Sequence, residues 1–95
     1  MLIQQEQHAN KGSFYVEENG NRLAEMVYNM SSPELMIIEH TEVADELRGK
    51  NVGYQLVHTA VEYARTNHMK ILPLCPFAKS VFDKKHEEFG DVLKS

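Results

Sequence analysis

The sequence is poor in cysteine, since Cys75 is the only one among 95 residues. A single cysteine excludes an intrachain disulfide and any metal site built from several cysteines. The longest uninterrupted apolar run is Leu35–Ile38, which is far too short to cross a bilayer, and the polar opening of the chain lacks the apolar core of a signal peptide. We therefore expect a soluble protein in a reducing, cytoplasmic setting.

Positive charge is also scarce. Ten Lys and Arg stand against 14 Asp and Glu, which gives a formal net charge of −4. Because non-specific binding to nucleic acid or to an anionic membrane needs a basic surface, neither partner is expected. The five histidines show no metal-ligand spacing such as H-x-x-x-H, so no metal site is predicted. The length and the ordinary globular composition predict one domain over residues 1–95.

Alternation of apolar and polar residues predicts strands in the first half of the chain. Within Arg22–Met30, every second residue lies on one face: Ala24, Met26, Tyr28 and Met30. The Asn19-Gly20-Asn21 sequence before it is typical of a hairpin turn, because Asn and Gly tolerate positive φ. Further strands are predicted over Leu2–His8, Phe14–Val16 and Glu34–Ala44.

The period of the pattern changes in the second half. An apolar stripe at helical spacing predicts a helix over Gly53–His68, and the apolar run Met69–Leu74 predicts a strand buried on both faces. Strand, helix and strand in this order indicate a βαβ unit with a right-handed crossover. A second helix is predicted from Pro76 to Gly90. The predicted fold class is α+β: a mixed, mostly antiparallel sheet with a βαβ unit, covered by two helices.

The segment before the first helix has the residues of an anion-binding turn. Arg48, Gly49, Lys50 and Gly53 directly precede or begin the helix, where glycines allow close backbone approach and the helix dipole attracts negative charge. An ordinary tight turn with solvated basic residues is the alternative on spacing alone. The sequence contains neither a Walker loop nor a G-x-G-x-x-G dinucleotide fingerprint.

The same segment resembles the (Gln/Arg)-x-x-Gly-x-(Gly/Ala) pyrophosphate loop of the GCN5-related N-acetyltransferases, read here as Arg48-Gly49-Lys50-Asn51-Val52-Gly53. Together with Glu39–Val43 (EHTEV) and Leu72–Phe77 (LPLCPF), it resembles a small subfamily of minimal members of that superfamily, over about residues 14 to 93. The resemblance implies the minimal acyl-coenzyme A N-acyltransferase fold. It also implies a site for acetyl-coenzyme A, with the pantetheine arm in a wedge between two diverging parallel strands.

The resemblance also implies which residues bind coenzyme A. The backbone at Val43 would pair with the pantetheine amides, and the diphosphate would be held by backbone N–H groups of Arg48, Gly49, Lys50, Asn51, Val52 and Gly53. Pro76 and Phe77 would contact the cofactor from the second helix, and Lys79 could reach the adenosine 3′-phosphate. Lys84 and Lys85 are predicted instead to be a solvated face, or charges that suit the C-terminal end of the helix dipole.

Two residues are candidates for the chemistry. Cys75 directly precedes Pro76 and is a predicted N-cap, where the helix dipole favours a nucleophilic thiolate, although a buried and inert cysteine is the alternative. His40 is predicted to share a face with Met36 and Ile38, and so to line the wedge beside Cys75 as a general base. A hydrogen-bonded core histidine is the alternative.

The sequence therefore predicts an acetyl-coenzyme A-dependent acetyltransferase that acts on an amine acceptor, either by direct attack or through Cys75. The larger relatives insert helices that build the acceptor pocket, whereas residues 1–44 show no helical period. The acceptor site is thus expected to be shallow, completed by a partner subunit, or suited to a large acceptor such as a protein. The alternatives are a coenzyme A-binding module with little or no turnover and a plain interaction domain. Either a monomer or a homodimer is compatible with the sequence.

Overall fold

The computed structural model describes residues 1–94. Five strands form one sheet in the order of the sequence. The first four strands pair in succession and each of these three pairs is antiparallel. The fourth and fifth strands are parallel and are connected through a helix, so the mixed sheet and the βαβ unit are confirmed. The strands are β1 (Gln4–His8), β2 (Lys11–Glu18), β3 (Asn21–Ser32), β4 (Leu35–Val43) and β5 (Lys70–Pro73).

Three α-helices follow the antiparallel part, with a short 3-10 turn on either side. The helices are α1 (Val52–Thr66), α2 (Pro76–Lys84) and α3 (His86–Phe89), and the 3-10 turns are Asp45–Leu47 and Gly90–Val92. The second predicted helix is thus divided at Lys85, which caps α2 with φ −115° and ψ 29°. No helix in residues 1–94 combines the length and the apolar character needed to span a membrane.

The core lies on one face of the sheet. The alternating residues of β3 are buried as predicted, and the apolar stripe of α1 packs into the same cluster. The prediction that the last strand is buried on both faces is wrong: Ile71 is buried, but Leu72 is only half-buried and Lys70 is exposed. The reason is that α1 and α2 contact each other and the same side of the sheet, which leaves the other side without a helical layer.

A β-bulge in β4 changes which side chains point to the core. Tyr28 pairs with Ile38 and Val27 pairs with His40, so Glu39 is an extra residue in β4. Beyond the bulge the inward positions shift, and Thr41 rather than His40 faces the helices. The prediction that His40 shares a face with Met36 and Ile38 is therefore wrong. Its side chain is 62% exposed and its Nε2 lies 3.2 Å from Glu42 Oε1.

The two parallel strands separate after a short stretch of pairing. The β4–β5 ladder ends at Ile38 and Pro73, although β4 continues to Val43. The Ile38 carbonyl accepts hydrogen bonds from two successive backbone N–H groups, those of Leu74 at 3.0 Å and Cys75 at 3.1 Å. The chain then leaves the sheet and begins α2. We call the opening between Glu39–Val43 and the start of α2 the fork.

Candidate functional site

A cavity of about 720 Å³ lies between the fork, the loop before α1 and one face of α2. Three cationic side chains line it, Arg48, Lys84 and Lys85, and within residues 1–94 no carboxylate does. This is a strong local bias in a chain whose net charge is −4. The remaining lining residues are Thr41, Val43, Leu47, Gly49, Asn51, Val52, Gly53, Tyr54, Phe77, Ser80 and Val81.

The N-terminus of α1 opens into this cavity. Asn51 is the N-cap residue, in the left-handed conformation with φ 63° and ψ 26°, and its side chain makes no capping hydrogen bond. In residues 1–94, no acceptor receives the backbone N–H groups of Val52, Gly53 or Tyr54. All three residues line the cavity. Unsatisfied N–H groups at a helix N-terminus, together with the helix dipole, form an anion-binding position.

The loop contributes fewer donors than the resemblance implies. The N–H of Arg48 is bonded to the Asp45 carbonyl at 3.1 Å, and the N–H of Lys50 to the Leu47 carbonyl at 3.2 Å. Lys50 does not line the cavity, whereas Arg48, Gly49 and the first residues of α1 do. Gly49 adopts φ +83°, a backbone conformation that costs other residues about 1–2 kcal/mol. The unbonded N–H groups of this segment that line the cavity are therefore concentrated at the helix start.

Gly53 is the contact point between α1 and α2. A Cβ atom built on Gly53 would lie 2.5 Å from Phe77 Cζ, which is far inside van der Waals contact. Phe77 is 41% exposed and forms part of the cavity wall. Its neighbour Pro76 occupies the first turn of α2 and does not line the cavity. The absence of a side chain at Gly53 is therefore what allows the Phe77 ring to lie against α1.

Cys75 lies at the inner end of the fork. It is the N-cap residue of α2, as predicted, and is only 5% exposed. Its Sγ lies 3.5 Å from Thr41 Oγ1, with the thiol as donor, and Thr41 in turn lines the cavity. Burial raises the pKa of the thiol. In the thiolate form, however, the Thr41 hydroxyl and the N–H groups of Ala78 and Phe77 donate to the sulfur, and these hydrogen bonds hold that pKa below its ordinary value.

The basic side chains divide into two groups. Lys79 lies 3.6 Å from Asp83, one turn along α2, and does not line the cavity. Its predicted contact with the adenosine 3′-phosphate would therefore be made from outside this cavity. Lys84 and Lys85 are exposed, as predicted, and they also line the cavity.

The family model of GCN5-related N-acetyl-transferases matches residues 13–92. The chain belongs to this family. A GCN5-like protein from Staphylococcus aureus, whose solution structure was determined by NMR, is 38% identical, with a TM-score of 0.73 over 97% of this chain and 88% of its own. No curated protein matches the chain.

Two more distant structures share the GCN5-related fold and, at their low identity, show the fold alone. The ribosomal-protein-alanine N-acetyltransferase of Brucella melitensis biovar Abortus 2308 is 15% identical, with a TM-score of 0.67 over 81% of this chain and 62% of its own. The aminoglycoside N-acetyltransferase AAC(6′)-Iy, in complex with coenzyme A, is 12% identical, with a TM-score of 0.57 over 81% of this chain and 67% of its own.

Within this member of the GCN5-related family, the sequence analysis missed several lining residues. Those on α2 carry a helical signal, because Ser80, Val81 and Lys84 follow Phe77 by three, four and seven residues and so share its face. Thr41 was missed because of the bulge: simple alternation along β4 places its side chain on the outer face. Tyr54 carries no sequence signal of its own.

Proposed function

We propose that this chain is an acetyl-coenzyme A-dependent N-acetyltransferase that transfers the acetyl group to an amine, with residues 1–95 forming one minimal domain of the subfamily named above. The observation that carries the proposal is the start of α1, where the N–H groups of Val52, Gly53 and Tyr54 face a cavity whose charged lining residues are all cationic. A diphosphate suits such a position in charge and in hydrogen bonding. The coenzyme A complex of a protein with the same fold supports it.

The residues present fit coenzyme A along the whole cavity. The start of α1 and Arg48 would hold the diphosphate, and the backbone of β4 near Val43, which has no β5 partner there, would pair with the pantetheine amides. When bound, acetyl-coenzyme A supplies an acetyl thioester. The fork directs that end of the ligand towards Thr41, which touches Cys75.

Two routes of transfer follow. In the first, the Cys75 thiolate attacks the acetyl carbonyl carbon, so that a new carbon–sulfur bond forms and the bond to the coenzyme A sulfur breaks; the departing thiolate takes up a proton. An amine then displaces the Cys75 sulfur and loses a proton. In the second, the amine attacks the acetyl group directly. The lowered pKa of the Cys75 thiol supports the first route.

Coenzyme A binding is tested by titration while backbone amide resonances are followed by NMR. We expect the largest shifts at Gly49, Asn51 and Val52–Tyr54, because these amides would meet the diphosphate. Amides of β1, on the far edge of the sheet, serve as the internal reference and should stay in place. If the resonances at the start of α1 do not move in excess ligand, the proposed function is wrong.

The route through Cys75 is tested by mass spectrometry after mixing with acetyl-coenzyme A and no acceptor. We expect one acetyl group on the peptide that contains Cys75, and none in the Cys75→Ser variant. Turnover by the serine variant, with an unmodified Cys75 in the parent protein, would establish direct attack instead. His40 lies on the opposite face of the sheet from Cys75, so it does not line the fork beside the thiol. Its role as a base for the acceptor amine stays a prediction.

A coenzyme A-binding module with little turnover is the second candidate. It is favoured by one observation: strands and their tight connections account for Gln4–Val43, so no helix from this part of the chain walls an acceptor pocket. Release of coenzyme A thiol in the presence of amines and basic peptides separates the two candidates. Acceptor-dependent release is expected of the transferase, and its absence despite tight binding identifies the module.

A further inference from the structure

Two lysines of the cavity have no place in the mechanism so far. Lys84 and Lys85 line the end of the cavity formed by α2. Within residues 1–94 neither forms an ion pair with a carboxylate, in contrast to Lys79, which pairs with Asp83, and Arg48, which lies 3.0 Å from Asp45. Two lysines adjacent in the chain, neither paired with a carboxylate in residues 1–94, line a cavity without carboxylates and form a second positively charged region beside the start of α1.

The position of this region is defined by Tyr54. Tyr54 is in the first turn of α1, and Lys85 Nζ lies 5.6 Å from the centroid of its ring. Lys85 is therefore adjacent to the start of α1, and both lysines stand at the end of α2 opposite to the one that begins at the fork. A ligand whose reactive end enters the fork and whose diphosphate meets α1 would place its remaining part here.

We propose that Lys84 and Lys85 bind the ribose 3′-phosphate of coenzyme A, and that they make the site select coenzyme A over the same molecule without that phosphate. The inference rests on the proposed function. It follows from matching two positive regions to two anionic groups: the α1 N-terminus suits the diphosphate, which needs backbone donors, and the ammonium groups suit a terminal phosphate monoester.

Helical phase explains why these lysines act and Lys79 does not. Lys84 follows Phe77 by seven residues, two turns along the same face of α2, and Lys85 ends the helix where the backbone departs from helical geometry. Lys79 lies on another face and is neutralised by Asp83. Because the lysines are exposed to solvent, the expected preference is modest and falls as the salt concentration rises.

The experiment compares the dissociation constants of coenzyme A and 3′-dephospho-coenzyme A by calorimetry. The parent protein is expected to bind coenzyme A about tenfold more tightly. In the K84Q/K85Q variant this ratio should fall to about one, because only the affinity for coenzyme A decreases. The matched control is K79Q, which removes the same charge from the same helix and should keep the ratio. Thermal unfolding of each variant, and the single variant K84Q, guard against a folding defect.

Each outcome gives a separate answer. A ratio near one in the parent protein overturns the inference, and so does a ratio that survives in K84Q/K85Q. An equal loss of affinity for both ligands also overturns it, because the lysines would then act on the diphosphate. If neither ligand binds the parent protein, the proposed function fails together with the inference, whereas equal binding of both ligands leaves the proposed function intact.

Discussion

Replacing Gly53 by alanine is expected to weaken coenzyme A binding about tenfold while changing stability by less than about 1 kcal/mol. The new Cβ would lie 2.5 Å from Phe77 Cζ, so the ring has to leave its place against α1. Phe77 is 41% exposed, so its ring can turn outward at small cost in free energy. The higher helix propensity of alanine over glycine, about 1 kcal/mol, offsets this cost. The cavity then loses part of its wall, and calorimetric titration with coenzyme A measures the effect.

Two variants make the Gly53 result specific. Gly90→Ala is the matched control, because a Cβ at Gly90 meets nothing and its φ of −63° suits alanine, so affinity should not change. In a Phe77→Ala background the change at Gly53 should cost less than about twofold, since the clashing ring is gone. Full loss of affinity in that background would show that Gly53 acts on the ligand directly rather than through Phe77.

Replacing Thr41 by valine is expected to raise the pKa of the Cys75 thiol, because valine has no hydroxyl to donate to the thiolate. Burial already raises this pKa, and the Thr41 hydroxyl is the largest of the interactions that lower it. Since the thiolate is the reactive form, the rise of alkylation rate with pH should move to higher pH, and the rate below that midpoint should fall about tenfold. Because Cys75 is the only cysteine, both the iodoacetamide reaction and the thiolate absorbance report on this one group.

The alkylation rate at one pH depends both on the pKa of the thiol and on how easily the reagent reaches it. The midpoint of the pH profile depends on the pKa alone, so it is the midpoint that is compared between variants. Thr41→Ser keeps the hydroxyl and should keep the midpoint. His40→Gln is a second control, because the bulge places His40 on the opposite face of the sheet, and it should leave the midpoint unchanged. An unaltered midpoint in Thr41→Val would contradict the role of the hydroxyl in favouring the thiolate.

The order of strands and helices was predictable because each element carries a regular pattern. Ala24, Met26, Tyr28 and Met30 alternate without interruption, and all four are buried. The division between α2 and α3 was not predictable, since Lys85 is an ordinary helix former whose backbone departs from the helix only in the folded chain. The exposed face of β5 was missed because an apolar run reads the same whether one or both faces are covered.

The site was predictable where it depends on local sequence and not where it depends on register. The loop before α1 and the N-cap position of Cys75 follow from residues adjacent in the chain. His40 was misplaced because alternation along β4 assumes one residue per position, and the bulge at Glu39 breaks that rule without any sign in the sequence. Lys84 and Lys85 are exposed, as predicted, but their place beside the cavity was not predictable, because charge alone does not show what packs next to a side chain.

In the proposed complex, the double hydrogen bond at Ile38 would set how far the acyl end of the ligand can enter the fork. Both donors, at Leu74 and Cys75, are backbone groups, so the stopping point is built from main chain and not from side chains. Substitutions of those two side chains should therefore alter the chemistry at the inner end of the fork and leave the depth of the fork unchanged. Any preference among acyl groups of different length would then depend on the side chains that line the fork, such as Thr41 and Val43.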